Sequence, residues 1–154
     1  MNTQTKTEEK FCIDDLMSEL HAYVKEELQK AGKPEIETQF CRYYENQTCL
    51  IQADREHLRQ ILTLLLDNAV KYIDRGFIAF GYYVFKTDMI DFHVDDTRAN
   101  NINENLTEVS ALVQQMGSRL KTKAPKDKRS SCSFTVKCKT ELVPTAPPCD
   151  SPCH

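Results

Sequence analysis

One carboxylate shares a strand face with apolar residues, and three further polar residues line the edge of an apolar helical stripe. In the run Met89–Asp96 (MIDFHVDD), alternation puts Ile90, Phe92, Val94 and Asp96 on one face of a strand and Met89, Asp91, His93 and Asp95 on the other. Asp96 thus shares the core face. An inward carboxylate costs several kcal/mol unless something pairs with it. The same aspartate could instead mark the strand's end, turned to water or capping the next loop. Along a second segment, Leu64, Asn68, Lys71 and Tyr72 fall at i, i+4, i+7 and i+8, one line beside an apolar helical stripe. An amide oxygen suits a hard cation such as Mg²⁺, an ammonium suits phosphate, and a phenol can hydrogen-bond at a rim. A solvated helix edge is the plainer reading of that line.

Other reactive types are scattered. The seven cysteines (Cys12, Cys41, Cys49, Cys132, Cys138, Cys149 and Cys153) are odd in number, in a chain long enough to fold without staples, so they read as reduced thiols filling strand and helix positions. Cys149, Cys153 and His154 could bind zinc if Cys132 or Cys138 completed the set, although a terminal tail that happens to carry two thiols has the same composition. Phe77, Phe80, Tyr82, Tyr83 and Phe85 cluster on one strand and read as core packing rather than a base-stacking platform.

The elements that must position these groups follow from periodicity. Ile13, Leu16, Met17, Leu20, Val24, Leu28 and Ala31 trace a first amphipathic helix that stops at Gly32 and Pro34. Extended pieces at about Glu35 to Tyr44 and Thr48 to Ala53, separated by Glu45-Asn46-Gln47, read as a hairpin. Asp54 caps a second, largely buried helix carrying Leu58, Ile61, Leu62, Leu65, Leu66, Ala69, Val70 and Ile73, with Gly76 at its exit. A central hairpin spans Phe77 to Asp96. A third helix holds Leu106, Val109, Leu112, Val113 and Met116 and ends at Gly117, and two closing strands run at about Arg119 to Ala124 and Ser131 to Cys138. The order α-β-β-α-β-β-α-β-β predicts an α+β fold, a two-layer α/β sandwich with helices on one face of the sheet.

The 154 residues carry 20 Lys+Arg against 23 Asp+Glu, a formal charge of −3, with the signs interspersed. That balance offers no basic surface for nucleic acid and no membrane-surface helix. Met1 to Lys10 lacks the apolar core of a signal peptide, and Ile61 to Leu66 is too short to cross a bilayer, so the expectation is a cytoplasmic chain. The expected organisation is a flexible N-terminus over 1–10, one folded domain over 11–140 and a flexible Pro/Cys tail over 141–154.

Asp54 to Tyr72 (DREHLRQILTLLLDNAVKY), Gly76 to Gly81 (GFIAFG), Ile90 to Thr97 (IDFHVDDT) and Leu106 to Val136 together resemble the ATP-binding catalytic domain of sensor histidine kinases. This is the GHKL (Bergerat-type) fold of gyrase, topoisomerase II and Hsp90-type ATPases, with a mixed sheet. The resemblance spans about residues 11 to 138. It implies that Asn68 corresponds to the asparagine that binds the Mg²⁺ of Mg-ATP, Lys71 to the phosphate-side lysine, Tyr72 to its neighbouring tyrosine, and Asp96, followed by Thr97, to the aspartate that receives the adenine amino group. A ligand would then be the partner of the inward carboxylate.

The departures from that family carry equal weight. Its DTGxG pattern is here Asp96-Thr97-Arg98-Ala99-Asn100, without either glycine, and the nucleotide lid is reduced to Asn101 through Asn105. Leu64 stands where kinases keep a polar residue and related ATPases a glutamate, leaving no general base and no catalytic residue to assign. Losing three backbone bonds to phosphate would cost on the order of 5 kcal/mol, enough to carry a micromolar site past millimolar. None of His21, His57, His93 and His154 sits in a phosphoacceptor context. The resemblance therefore implies a degenerate domain with weak or lost ATP and Mg binding, a pseudokinase module acting on a kinase dimerisation domain, a response regulator or itself. The rival reading is a minimal active module that phosphorylates a partner in trans.

Overall fold

The computed structural model describes residues 8–41, 47–86, 88–97, 106–123 and 130–144. Its elements are β1 (Glu9–Cys12), α1 (Ile13–Lys30), β2 (Glu37–Cys41), β3 (Gln47–Ala53), α2 (Arg55–Tyr72), β4 (Phe77–Lys86), β5 (Met89–Asp96), α3 (Leu106–Gln115), β6 (Lys121–Lys123), β7 (Ser130–Lys137) and β8 (Lys139–Pro144). They form the expected α+β sandwich. A five-stranded mixed sheet in the order β2-β4-β5-β7-β6 lies beside a three-stranded sheet, β1-β3-β8.

Each helix forms where its sequence says it should. The apolar stripe of α1, from Ile13 through Leu28, is buried, and Gly32 at φ +75° closes the helix with Lys33 N–H donating to the Leu28 carbonyl. Asp54 caps α2 by accepting from the His57 N–H at 3.1 Å. The far end of α2 is held by Lys33, whose Nζ donates to the carbonyls of Val70 and Ile73 at 2.8 Å. Lys33 therefore supplies both charge and donors to a helix C-terminus that would otherwise present bare carbonyls. α1 packs on α2 and β3, and α2 packs on β5 and α3.

The β4–β5 and β6–β7 hairpins form as expected, both antiparallel. The expected hairpin at Glu35 to Ala53 does not form. β2 pairs parallel with β4, Glu37 opposite Phe77 through Cys41 opposite Gly81, while β3 joins the other sheet between β1 and β8. Polar residues between two extended runs signal a break in the chain without saying which strand each run will join. Here side-chain packing decides. Phe40 stacks on Phe80 with ring centroids 5.9 Å apart, drawing β2 to β4, and Cys49, Ile51 and Ala53 go into the core beside α1. Parallel neighbours need a crossover, which α2 provides. β1 and β8 run through stretches that periodicity left without structure, Glu9 and Lys10 on one side and Glu141 to Pro144 on the other. Of the β4 aromatics, Phe80 and Tyr82 are core residues, whereas Tyr83 lies on the outer face and is exposed.

Candidate functional site

Asp96 ends β5 with 2 % of its surface exposed, on the face shared with Ile90, Phe92 and Val94. The reading in which it turns to solvent is thereby excluded. Directly across the sheet, β7 opens with Ser130, paired in register with Asp96 and 3 % exposed. Cross-strand neighbours have Cβ atoms about 5 Å apart, so a hydroxyl and a carboxylate share one buried corner of the sheet. Ser130 escaped the sequence reading, yet the same alternation that put Cys132, Phe134 and Val136 on one face reaches it in one further step.

Asn68 lies on α2, which packs on β5, and is 8 % exposed, far more buried than a solvated helix edge. Asn68 and Asp96 each have an interaction partner within the protein. Lys71, one turn on, is exposed, with Nζ 5.3 Å from the centroid of the half-buried Tyr72 ring. The line drawn from sequence therefore divides into an inward asparagine and an outward lysine–tyrosine pair. Leu64 is packed against the hydrophobic core and carries no acid–base group. Behind Asn68, the Tyr23 hydroxyl donates to Asp67 Oδ1 at 2.6 Å, fastening α1 to α2. Burial and the nearby Asp67 carboxylate push the Tyr23 phenol above its ordinary range, and burial raises Asp67.

Thr97 does something the sequence did not announce. Its Oγ1 donates to the Arg75 carbonyl at 2.8 Å and accepts from the Phe77 N–H at 3.0 Å, and its own N–H donates to the Phe77 carbonyl at 3.3 Å. The turn between α2 and β4 is thus latched to the residue after Asp96. Gly76, at φ +107°, makes the approach possible, since a Cβ there would collide with the Thr97 hydroxyl. A helix carrying Asn68 and a strand ending in Asp96 are tied at this point.

The expectations for Arg98, Ala99, Asn100 and the shortened lid Asn101 through Asn105 fall outside the described residues, as do Cys149, Cys153 and His154. Cys12, Cys41, Cys49, Cys132 and Cys138 are free thiols. Burial pushes Cys49 up to about 12 and Cys138 to about 11, so both are neutral. Among the described residues no group of three or more His, Cys, Asp or Glu side chains is placed to hold a metal ion, and no helix is long and apolar enough to cross a membrane. His21 meets Thr38 Oγ1 at 2.9 Å and His57 Nε2 lies 2.8 Å from the Leu112 carbonyl, so each of these rings joins two elements.

No family model matches the chain, and no curated protein matches it by sequence. Solved structures do. The Acinetobacter baumannii histidine kinase AdeS is 14 % identical with a TM-score of 0.71, over 87 % of this chain and 68 % of that one. The catalytic domain of histidine kinase ThkA is 17 % identical at a TM-score of 0.69, covering 86 % of this chain and 97 % of that domain. Full-length ShkA, solved in complex with AMPPNP, is 18 % identical at a TM-score of 0.77, and its match covers 94 % of this chain and only 34 % of that one. At these identities the likeness is one of fold: the chain has the architecture of histidine kinase catalytic domains.

Proposed function

We propose that the chain is a degenerate histidine-kinase-type ATP-binding domain, acting as a binding or regulatory module in two-component signalling with weak or no nucleotide affinity. One observation carries the reading: Asp96 is buried at the end of β5 opposite Ser130, and Asn68 is buried on α2, the helix that packs on β5. A buried carboxylate with a hydroxyl opposite it on the neighbouring strand fits the amino edge of adenine, and Asn68 would be the Mg²⁺-side amide. Thr97, carried over as a nucleotide contact, is proposed instead to hold Asp96 in place, because its O–H is committed to Arg75.

The phosphate side supports loss. Lys71 is exposed beside Tyr72, Leu64 offers no base, and Arg98 and Asn100 replace the glycines whose N–H groups would hold phosphate. With adenine recognition retained and phosphate binding removed, the module acts by occupying a partner's surface: a kinase dimerisation domain or a response regulator. Calorimetric titration with Mg-ADP and Mg-ATP tests this. The expected result is no saturation below millimolar nucleotide and no shift in melting temperature. A micromolar constant abolished by Asn68→Ala overturns the proposal in favour of an active module.

A further inference from the structure

We propose that His93 is a phosphoryl-acceptor site whose Nε2 takes a phosphoryl group from an acyl phosphate or a phosphoramidate, with Asp95 securing the other ring nitrogen. His93 lies on β5 with Met89, Asp91 and Asp95, on the face opposite the buried Ile90, Phe92, Val94 and Asp96. Its Nδ1 is buried and sits 3.5 Å from Asp95 Oδ2, while 20 % of the side chain is exposed. Nε2 is therefore the ring nitrogen that meets solvent. The adjacent carboxylate favours the tautomer with its proton on Nδ1, which leaves the lone pair on Nε2. His21 and His57 are placed differently, each engaging Nε2 within the fold, at Thr38 Oγ1 and at the Leu112 carbonyl.

Sheet register gives that nitrogen space on one side and donors on the other. Gly81 lies directly opposite His93 on β4 and has no side chain to cover the ring, and the Tyr83 ring stands off at 6.3 Å between centroids. Across β5 the same row continues with Ser133 on β7 and then Lys121 on β6. Opposed side chains of β5 and β7 do meet on this face: one pair along, Thr135 Oγ1 donates to Asp91 Oδ1 at 3.2 Å. His93 and Ser133 form a pair of the same class, two residues away on each strand, so the Ser133 hydroxyl is placed to bond a phosphoryl oxygen held at His93. The Lys121 stem has two strand spacings, about 10 Å, to span to β5. A hydroxyl and an ammonium beside a nucleophilic nitrogen suit an oxyanion and not a metal ion. Along the chain His93 has no acceptor context, because these groups come from neighbouring strands.

In the transfer, the Nε2 lone pair attacks phosphorus and a P–N bond forms. The donor's acyl P–O bond, or its own P–N bond, breaks, and the carboxylate or ammonia departs with that electron pair. Nδ1 keeps its proton, so the phosphorylated ring is a cation, which Asp95 stabilises as a positioning residue without touching the donor.

Incubating the full chain with potassium phosphoramidate tests the proposal without nucleotide, with the modified residue located by fragmentation mass spectrometry and the substituted nitrogen by phosphorus NMR. N-acetylhistidine in the same reaction is the unassisted reference. The expected result is phosphorylation of His93 on Nε2, about tenfold faster than the reference. Asp95→Asn should bring the rate down to the reference with the melting temperature unchanged, Asp95→Glu should restore part of it, and Lys121→Met should slow the reaction. A phosphoryl group on Nδ1, a His93 rate no higher than the reference, or a rate indifferent to Asp95→Asn overturns it.

Discussion

Substituting alanine at Gly76 and at Thr97, singly and together, puts a number on the latch between the two halves of the candidate site. Thr97→Ala deletes the hydroxyl that donates to Arg75 and accepts from Phe77. The Arg75 carbonyl lies at an exposed residue and rehydrates, but the half-buried Phe77 N–H is left without its acceptor, a loss of about 1.5 kcal/mol. Gly76→Ala puts a side chain at φ +107°, a strain of about 1.5 kcal/mol. Its Cβ also expels the Thr97 hydroxyl, so it forfeits the latch as well, and its total comes to about 3 kcal/mol.

The double variant has no hydroxyl left to expel, so it should be no less stable than Gly76→Ala alone, with a coupling of about 1.5 kcal/mol between the positions. Urea unfolding followed by circular dichroism reads all four corners of the cycle. For a chain of 154 residues each kcal/mol also moves the melting temperature by about 3 °C. Additivity to within about 0.5 kcal/mol would refute the latch, because two independent defects would then have been measured.

Two further outcomes are expected. Tyr82→Phe removes the buried O–H that donates to Asp14 Oδ1 at 2.9 Å, and the under-solvated carboxylate at the start of α1 should cost about 1–3 kcal/mol in the same denaturation assay; an unchanged midpoint would show that the bond contributes nothing. The Tyr23 phenol keeps its proton in the folded chain at a pH where the unfolded chain, titrating at about 10, has released it. Stability therefore falls as pH rises above that value, and Tyr23→Phe should fall less steeply between neutral and strongly alkaline pH. Parallel curves for the two proteins would contradict the assignment.

Local patterns announced most of this architecture. Strand parity alone carried Asp96 inward, because alternation of Ile90, Phe92 and Val94 is a geometric constraint that one residue cannot escape. Helical spacing likewise identified α1, α2 and α3, whose stripes are wide and whose ends carry Asp54, Gly32 and Gly117. What local pattern could not convey was partnership. β2 pairs with a strand that begins 36 residues after β2 itself ends, counting from Cys41 to Phe77, and nothing in its five residues names β4. β1 and β8 are short and carry exposed charged residues, with Lys10 bonded to Glu141, so neither shows the apolar alternation that marks a strand. In the site, Ser130 and Thr97 were hidden for a related reason: small hydroxyls have no propensity signal, and their roles come from what the fold lays opposite them.

The three-stranded sheet has a mechanical consequence. β1 and β8 both run antiparallel to β3, on its two sides, so they run parallel to each other, with Glu9 beside Ala53 at one end of the sheet and Pro144 beside Gln47 at the other. Tension applied between those two residues pulls the outer strands along their lengths in opposite senses, loading the ladders in shear with many bonds stretched at once. A chain tugged at both extremities would yield there abruptly, at a single high-force event, and only afterwards would the larger sheet unravel.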